Sequence, residues 1–177
     1  MYRRWWIVLA LALAAGCSSH PAKARTYHLP PQKARYNETP LPYRPVKDGD
    51  MVFTVLGVTT GLTTLSGSHA DLPARGQLVR VRVLAENDYA TFHTVDLTKQ
   101  LLVDSTGRTY AVDVNGMRVK RQPDNYLVGS DNQVEFDLIY DIPKSARVTS
   151  VHLYGDLTDE LGVRAPSDPG VVARLTK

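Results

Sequence analysis

The feature that most constrains the fold of this chain is a period of two in the side chains of residues 77–86. Apolar residues occupy every second position there, and Arg80 and Arg82 lie between them. Successive side chains of a β-strand point to opposite faces of a sheet, so the pattern predicts a strand with one buried and one solvated face. The predicted buried face consists of Val79, Val81, Val83 and Ala85.

The same alternation recurs in residues 133–140, where Phe136 lies on the apolar face and Glu135 on the polar face. The β-rich run 50–59 and the run 148–154 add further strands, and no stretch shows a helical period over three turns. Seven or eight short strands at this spacing predict an all-β fold, an antiparallel β-sandwich.

Residues with known backbone preferences mark the predicted turns. Asp104 and Gly107 bracket a short segment between two apolar runs, which predicts a β-hairpin because Asp favours the first turn position and Gly supplies a positive φ. Asn115-Gly116 predicts a second, two-residue hairpin. Residues 61–76, rich in Gly, Ser and Thr, and residues 122–132 are predicted to be long loops.

Four stretches carry a family resemblance across residues 50–155: Glu86-Asn87-Asp88, Leu102 to Tyr110, Asn132 to Phe136, and Tyr140 to Ala146. In this order they resemble the telokin-like immunoglobulin-fold family of bacterial secreted proteins and lipoproteins, which includes a small secreted mycobacterial antigen. The shared motifs are a turn, a strand exit and an aromatic-x-x-Pro-Lys corner. The resemblance therefore implies an immunoglobulin-like β-sandwich and no particular reaction.

The N-terminal segment indicates where the protein works. Arg3 and Arg4 precede an apolar run that ends at Ala15, which is typical of a secretory signal and is about half of the ~20 residues that a membrane-spanning helix needs. Ala15-Gly16 directly precedes Cys17, the only cysteine, and this stretch resembles the lipobox of bacterial lipoproteins. The resemblance implies cleavage before Cys17 and a lipid on its sulfur, which would anchor the protein on the extracytoplasmic side of the cell membrane. Plain secretion is the alternative.

The formal net charge of +3 is unevenly distributed along the chain. Residues 18–47 contain six Lys or Arg and one acidic residue, whereas residues 48–177 contain thirteen basic and seventeen acidic residues. The larger part is mildly acidic, so nucleic-acid binding is not predicted. The basic residues near the N-terminus serve either solubility or contact with anionic lipid or wall polymer.

Proline content and the single cysteine complete the predicted organisation. Six prolines and the lack of any period in residues 18–47 predict a disordered tether. Without a second cysteine the domain cannot form a disulfide, so its core alone must stabilise it. The predicted parts are a signal peptide at 1–16, a lipidated N-terminus and tether at 17–47, a sandwich at 48–160 and a C-terminal tail at 161–177.

Candidate chemical sites are weak. Copper-carrying sandwiches and metal clusters of the superoxide-dismutase type need clustered Met or His ligands, which this chain does not provide. Residues 66–71 place a serine, a histidine and an acid close in sequence, but a flexible loop explains them better than a nucleophilic site. Nor are catalytic residues, metal ligands or cofactors predicted elsewhere. The residues considered are Met51, Met117, His69, His93, His152 and the acidic Asp156, Asp159 and Glu160.

The sequence thus predicts a non-enzymatic, lipid-anchored extracytoplasmic module that binds through loops or an exposed sheet face. The predicted partners are the membrane, through the lipid on Cys17, and an envelope protein. The alternative is an accessory or scaffold subunit of a cell-envelope complex, such as a transporter or wall-building machinery. A polar pocket would favour a small-molecule ligand, whereas a flat apolar face would favour a protein partner.

Overall fold

The computed structural model describes residues 33–155 and 170–176, which form an antiparallel β-sandwich with one short α-helix and one 3-10 helix. The helices are α1 (Val114–Val119) and the 3-10 turn Leu97–Lys99. The strands are β1 (Thr39–Pro40), β2 (Val46–Asp48), β3 (Met51–Ser66), β4 (Asp71–Asn87), β5 (His93–Asp96), β6 (Leu101–Asp104), β7 (Thr109–Ala111), β8 (Asn125–Val128), β9 (Gln133–Ile142), β10 (Val148–Leu153) and β11 (Val171–Arg174).

The strands form two packed sheets and a separate ribbon. The large sheet has the order β1-β3-β4-β9, and β2 also pairs with β3. The small sheet has the order β11-β10-β6-β7, and β5 pairs with β8 alone. The predicted all-β sandwich is confirmed, although the described residues contain eleven strands rather than seven or eight because several strands are only two to four residues long.

The core lies between the two sheets and follows the predicted alternation. On β4, every residue of the predicted buried face is fully buried, and Phe136 on β9 lies opposite Val83. The small sheet contributes Leu102, Val151 and Leu153, which are also fully buried. The facing assigned to both strands from their period of two is therefore confirmed.

The predicted long loop at residues 61–76 is wrong. Strands β3 and β4 stay paired as far as Ser66 and Asp71, so the hairpin turn itself is very short. Leu65 near its tip is buried, because α1 packs against the hairpin and its Val119 approaches Gly67. The Gly, Ser and Thr residues of this stretch predict a loop, but tertiary packing stabilises it as a β-hairpin.

The predicted hairpin at Asn115-Gly116 is also wrong, because these residues lie in α1. The Asp113 carboxylate caps the helix by accepting a hydrogen bond from the Gly116 N–H at 2.8 Å. Gly116 is needed for close packing, since a Cβ there would lie 2.5 Å from Cγ2 of Ile139. The predicted loop at 122–132 likewise contains β8, whereas the hairpin at Asp104 and Gly107 is confirmed by the pairing of β6 and β7.

The folded domain extends beyond the predicted boundaries at both ends. Residues 33–48, which we call the strap, cross the outer face of the large sheet and then pair with β3 through β1 and β2. The prediction of a disordered tether is therefore wrong for residues 33–47. The predicted C-terminal tail contains β11, which pairs with β10. Cys17 and the predicted signal peptide lie outside the described residues.

Candidate interaction surfaces

The most buried charged side chains lie under the strap, on the outer face of the large sheet. Arg82 projects outward from β4 but is only 3% exposed, because the strap places Glu38 over it. The Glu38 carboxylate accepts two hydrogen bonds from the guanidinium, at 2.9 Å from Nε and 2.7 Å from Nη2. Gly57 lies opposite Arg82 on β3, and a Cβ there would lie 2.6 Å from Cδ of Glu38. The absent side chain of Gly57 therefore makes the space for this ion pair.

A second arginine extends the network toward β9. Arg35 of the strap donates to both oxygens of Asp137, at 2.8 and 2.6 Å, and to Glu135 at 2.6 Å. Glu135 also lies 3.4 Å from Arg82, so it joins the two arginines. Burial alone would lower the pKa of Arg35, but attraction to Asp137 and Glu135 raises that pKa above its ordinary value. The network stabilises the strap on the sheet and leaves its charges satisfied rather than reactive.

The ribbon of β5 and β8 presents an exposed apolar surface. Pairing places Thr94 opposite Leu127, while Val95 and Val128 turn inward and are buried. Phe92 and Leu127 therefore lie on the outer side, and each is 67% exposed. Tyr89, which is 47% exposed, precedes Phe92 by three residues and meets His93, on the inward side of the ribbon, edge to face. We call the exposed side chains of Phe92 and Leu127 the ribbon surface.

Buried Asn87 stabilises the loops next to the ribbon surface. Its side-chain amide donates to the backbone carbonyls of Thr91, Val128 and Gly129 at 2.6 to 3.0 Å. Its Oδ1 accepts the N–H of Tyr89 at 3.0 Å. The exposed aromatic side chains therefore project from a backbone that is fixed by a buried polar group.

Among the cavities on the described surface, two hold about 200 Å³ each. The first, which we call the seam groove, lies between β2 and β11, where the edges of the two sheets meet. The second surrounds Asp104 at the β6–β7 turn, with Arg108 and Arg147 at its rim. Both are smaller than the ~300–1,000 Å³ that is usual for a small-molecule site.

Asp104 is fixed as a carboxylate by the turn around it. Hydrogen bonds from the hydroxyls of Thr106, at 2.6 Å, and Tyr110, at 2.7 Å, lower the pKa of Asp104 to about 2. The backbone N–H groups of Thr106 and Arg108 also donate to it. These contacts explain why the Asp104–Gly107 turn is so well specified, and they give Asp104 a structural role.

The serine, histidine and acid of residues 66–71 lie at the exposed tip of the β3–β4 hairpin. The Ser68 hydroxyl accepts a hydrogen bond from Arg121, and the Ser66 carbonyl accepts one from Lys120. These bonds tie the tip to the segment after α1. The structure shows no bond that links the serines, His69 and Asp71 as a nucleophilic site requires.

The other residues considered as ligands are spread over the fold. Met51 and Met117 are buried core residues, His93 lies 3.6 Å from Asp50, and His152 lies on β10. Within the described ranges, 33–155 and 170–176, no group of three or more His, Cys, Asp or Glu residues is placed to hold a metal ion. Asp156, Asp159 and Glu160 lie outside those ranges.

Sequence reasoning missed the two features that shape the outer surface. Arg82 lies between Val81 and Val83, and this alternation predicts a solvated arginine side chain. Nothing in the local sequence indicates that Glu38, far away in the chain, covers it. Leu127 of the ribbon surface lies in the predicted loop 122–132. The local signal for a strand there is the apolar run Tyr126-Leu127-Val128 between turn-forming residues.

Comparison with known proteins supports the fold alone. No family model matches this sequence, and none of the curated proteins is detectably similar to it. A conserved hypothetical protein from Bacillus anthracis superposes with a TM-score of 0.55 at 10% identity, over 78% of this chain and 96% of the other. The yjhA protein from Bacillus subtilis has a TM-score of 0.50 at 15% identity, over 74% and 94%. The secreted protein MPT63 from Mycobacterium tuberculosis has a TM-score of 0.39 at 12% identity, over 70% and 93%.

No helix among the described residues is both long enough and apolar enough to cross a membrane. The superpositions with the two Bacillus proteins support a β-sandwich fold for the described residues.

Proposed function

We propose that this chain is a non-enzymatic module that binds a protein partner on the extracytoplasmic side of the membrane, where a lipid on Cys17 anchors it. The observation that carries the binding role is the ribbon surface, where Phe92 and Leu127 are each 67% exposed. Exposed apolar side chains that lie together are typical of protein interaction sites. Tyr and Phe are also enriched in such interfaces.

The form of the surface favours a protein over a small molecule. Phe92, directly before β5, and Leu127 on β8 are exposed outside both cavities described above, which hold about 200 Å³ each. Asn87 fixes the loop that carries Tyr89 and Phe92, so little ordering would be needed when a partner binds. The lipid anchor rests on the resemblance of the Cys17 stretch to a lipobox.

The binding role is tested by site-specific photocross-linking in intact cells. A photoreactive residue at position 127 should capture one defined envelope protein. The same residue at Val114 on α1, which is 46% exposed, serves as the control and should not capture it. Equal capture from both positions, or none from position 127, would contradict the ribbon surface as the binding site. The identity of the captured protein distinguishes a free-standing binder from an accessory subunit.

The anchor is tested separately. Cys17→Ser should move the processed protein from the membrane fraction to the soluble extracytoplasmic fraction, because the lipid is then absent. A processed serine variant that stays in the membrane fraction would refute lipid anchoring and leave the ribbon surface untouched.

A further inference from the structure

The seam groove combines an apolar floor with a positively charged rim. Val46 of β2, Val55 of β3 and Ala173 of β11 line its floor, and Val55 and Ala173 are almost fully buried. Arg44 and Arg174 stand on its two sides and are both exposed. Arg44 belongs to the strap and Arg174 to β11. The groove therefore forms only when the strap and β11 both join the sandwich.

The two arginines are available for an external anion. Neither forms an ion pair with any acidic side chain in the part of the chain that the structure describes, and no acidic residue lines the groove. By contrast, Arg35, Arg75 and Arg82 are all engaged by carboxylates. An arginine pair without a carboxylate partner favours a phosphate or carboxylate group, which guanidinium groups bind in bidentate fashion.

The cavity around Asp104 provides an internal comparison. It has nearly the same volume and also has two arginines at its rim, Arg108 and Arg147. However, the Asp104 carboxylate lines it and stays ionised because hydrogen bonds lower its pKa. That negative charge disfavours an incoming anion, so of these two cavities the seam groove is the one whose charge suits an anion.

The surroundings of the seam groove match a lipid surface. Val172, which lines it, is an apolar side chain that is 47% exposed. An exposed apolar side chain between two arginines suits a membrane interface, where apolar and charged groups meet the bilayer together. At no more than ~3.5 Å per residue, the segment from Cys17 to Lys33 spans at most ~55 Å, which keeps the domain within reach of the membrane.

We propose that the seam groove binds the phosphate headgroup of an anionic membrane lipid, with Arg44 and Arg174 as its ligands and the apolar floor against the start of the acyl region. This inference rests on the proposed location of the protein at a membrane. After the lipid on Cys17, the headgroup would be a second, weaker contact with the bilayer. It would hold the sandwich against the membrane and give the ribbon surface a defined orientation.

The test uses the chain from residue 17 onward with Cys17→Ser, so that no lipid anchor contributes. We expect it to co-sediment with vesicles of phosphatidylcholine containing 30% phosphatidylglycerol, and not with pure phosphatidylcholine vesicles. In Arg44→Gln/Arg174→Gln the partition coefficient should fall about 30-fold, since each basic residue near an anionic surface contributes about a factor of five. The matched control Arg108→Gln/Arg147→Gln should change it by less than about threefold.

An equal loss in both double variants would overturn the proposal, because binding would then follow net charge alone. Failure of the parent chain to bind anionic vesicles would also overturn it. So would NMR shifts at Arg44 and Arg174 with inorganic phosphate but none with anionic vesicles, since the site would then take a soluble anion. Unchanged thermal unfolding midpoints in both variants establish that they are folded. None of these results depends on Cys17, so they are separate from the fractionation test of the anchor.

Discussion

The two faces of the large sheet use the same strands in opposite ways. The inner face, from Val79 to Ala85 on β4 and around Phe136 on β9, is wholly apolar and packs against the small sheet. The outer face carries Arg82 and Asp137, which lie opposite each other in the register and are nearly as well buried. The small sheet covers the inner face. On the outer face the strap covers Arg82 and Asp137 with charges of its own, and α1 packs against Ile139.

The difference shows that alternation specifies the direction of a side chain but not its burial. An apolar face must find a cover, because its exposure costs free energy in proportion to its area. A charged face needs none, so the cover on the outer face must match each charge with a partner. Arg35 and Glu38 of the strap supply those partners. Three variants test this contrast, in the order of the expected size of the effect, and a titration of Asp104 outside both faces follows them.

The largest effect is expected on the inner face. Phe136→Ala removes a side chain that is 2% exposed and stacked on Tyr126, and should lower the free energy of unfolding by about 3–5 kcal/mol. Urea denaturation measures the change. Because a typical domain has only about 5–15 kcal/mol of stability, the variant should be close to unfolding. A loss below about 1 kcal/mol would mean that Phe136 is not part of a packed core.

The next effect is expected on the outer face. Arg82→Met leaves Glu38 buried without its cation and should cost about 3 kcal/mol, the lower end for breaking a buried ion pair, because the strap can lift into water. Trypsin should then cut at Lys33 or Arg35 well before it cuts the sandwich. Arg80→Met is the matched control on the same face of β4, since Arg80 bonds only the Thr59 hydroxyl among the contacts that the structure describes. Equal effects of the two changes would show that the ion pair with Glu38 has no special weight.

A smaller effect is expected at the position that makes room for the strap. Gly57→Ala places a Cβ 2.6 Å from the Glu38 side chain and should cost about 1–3 kcal/mol, as overpacking usually does. Combining it with Glu38→Ala tests the cause. The second change removes the clashing atoms, so the pair should cost less than the sum of the single changes. Strict additivity would mean that Gly57 and Glu38 do not meet.

The smallest effect is electrostatic and lies away from both faces. Asp104 has a pKa of about 2, below the value of about 3.9 for an unfolded chain. Its ionised form therefore stabilises the fold above about pH 4, and that contribution disappears as the pH falls through about 2. An NMR titration should show the Asp104 carboxyl still ionised at pH 3. In Asp104→Asn the stability should decline less steeply over this range than in the parent chain.

Much of the fold could be predicted from sequence, because period-two patterns report the buried face directly. Val81 and Phe136 were placed correctly, and so was the Asp104 turn, whose capping bonds are all local. The failures arose where distant residues decide the structure. Asn115-Gly116 enters a helix because Ile139 packs against Gly116, and the Gly-rich stretch after Gly61 stays in a hairpin because α1 covers it.

The candidate surfaces were harder to predict than the fold. Leu127 is exposed because β8 pairs with β5 with this face outward, a choice that depends on the burial of Val95 and Val128. The seam groove depends on β11, which comes from the predicted tail, and on β2, which comes from the predicted tether. Both surfaces are formed by tertiary pairing of short segments that have weak signals of their own.

The central claim is that the strap is part of the folded domain, and amide hydrogen exchange tests it most directly. The Leu41 N–H donates to the Leu56 carbonyl at 3.0 Å, and the Glu38 N–H donates to the Arg35 carbonyl at 3.0 Å. Both amides should exchange far more slowly than in an unstructured peptide, and Arg82→Met should remove that protection while the β4 and β9 amides keep theirs. Unprotected exchange at Leu41 and Glu38 in the parent chain would contradict the account, because residues 33–48 would then be the open tether that their prolines suggest.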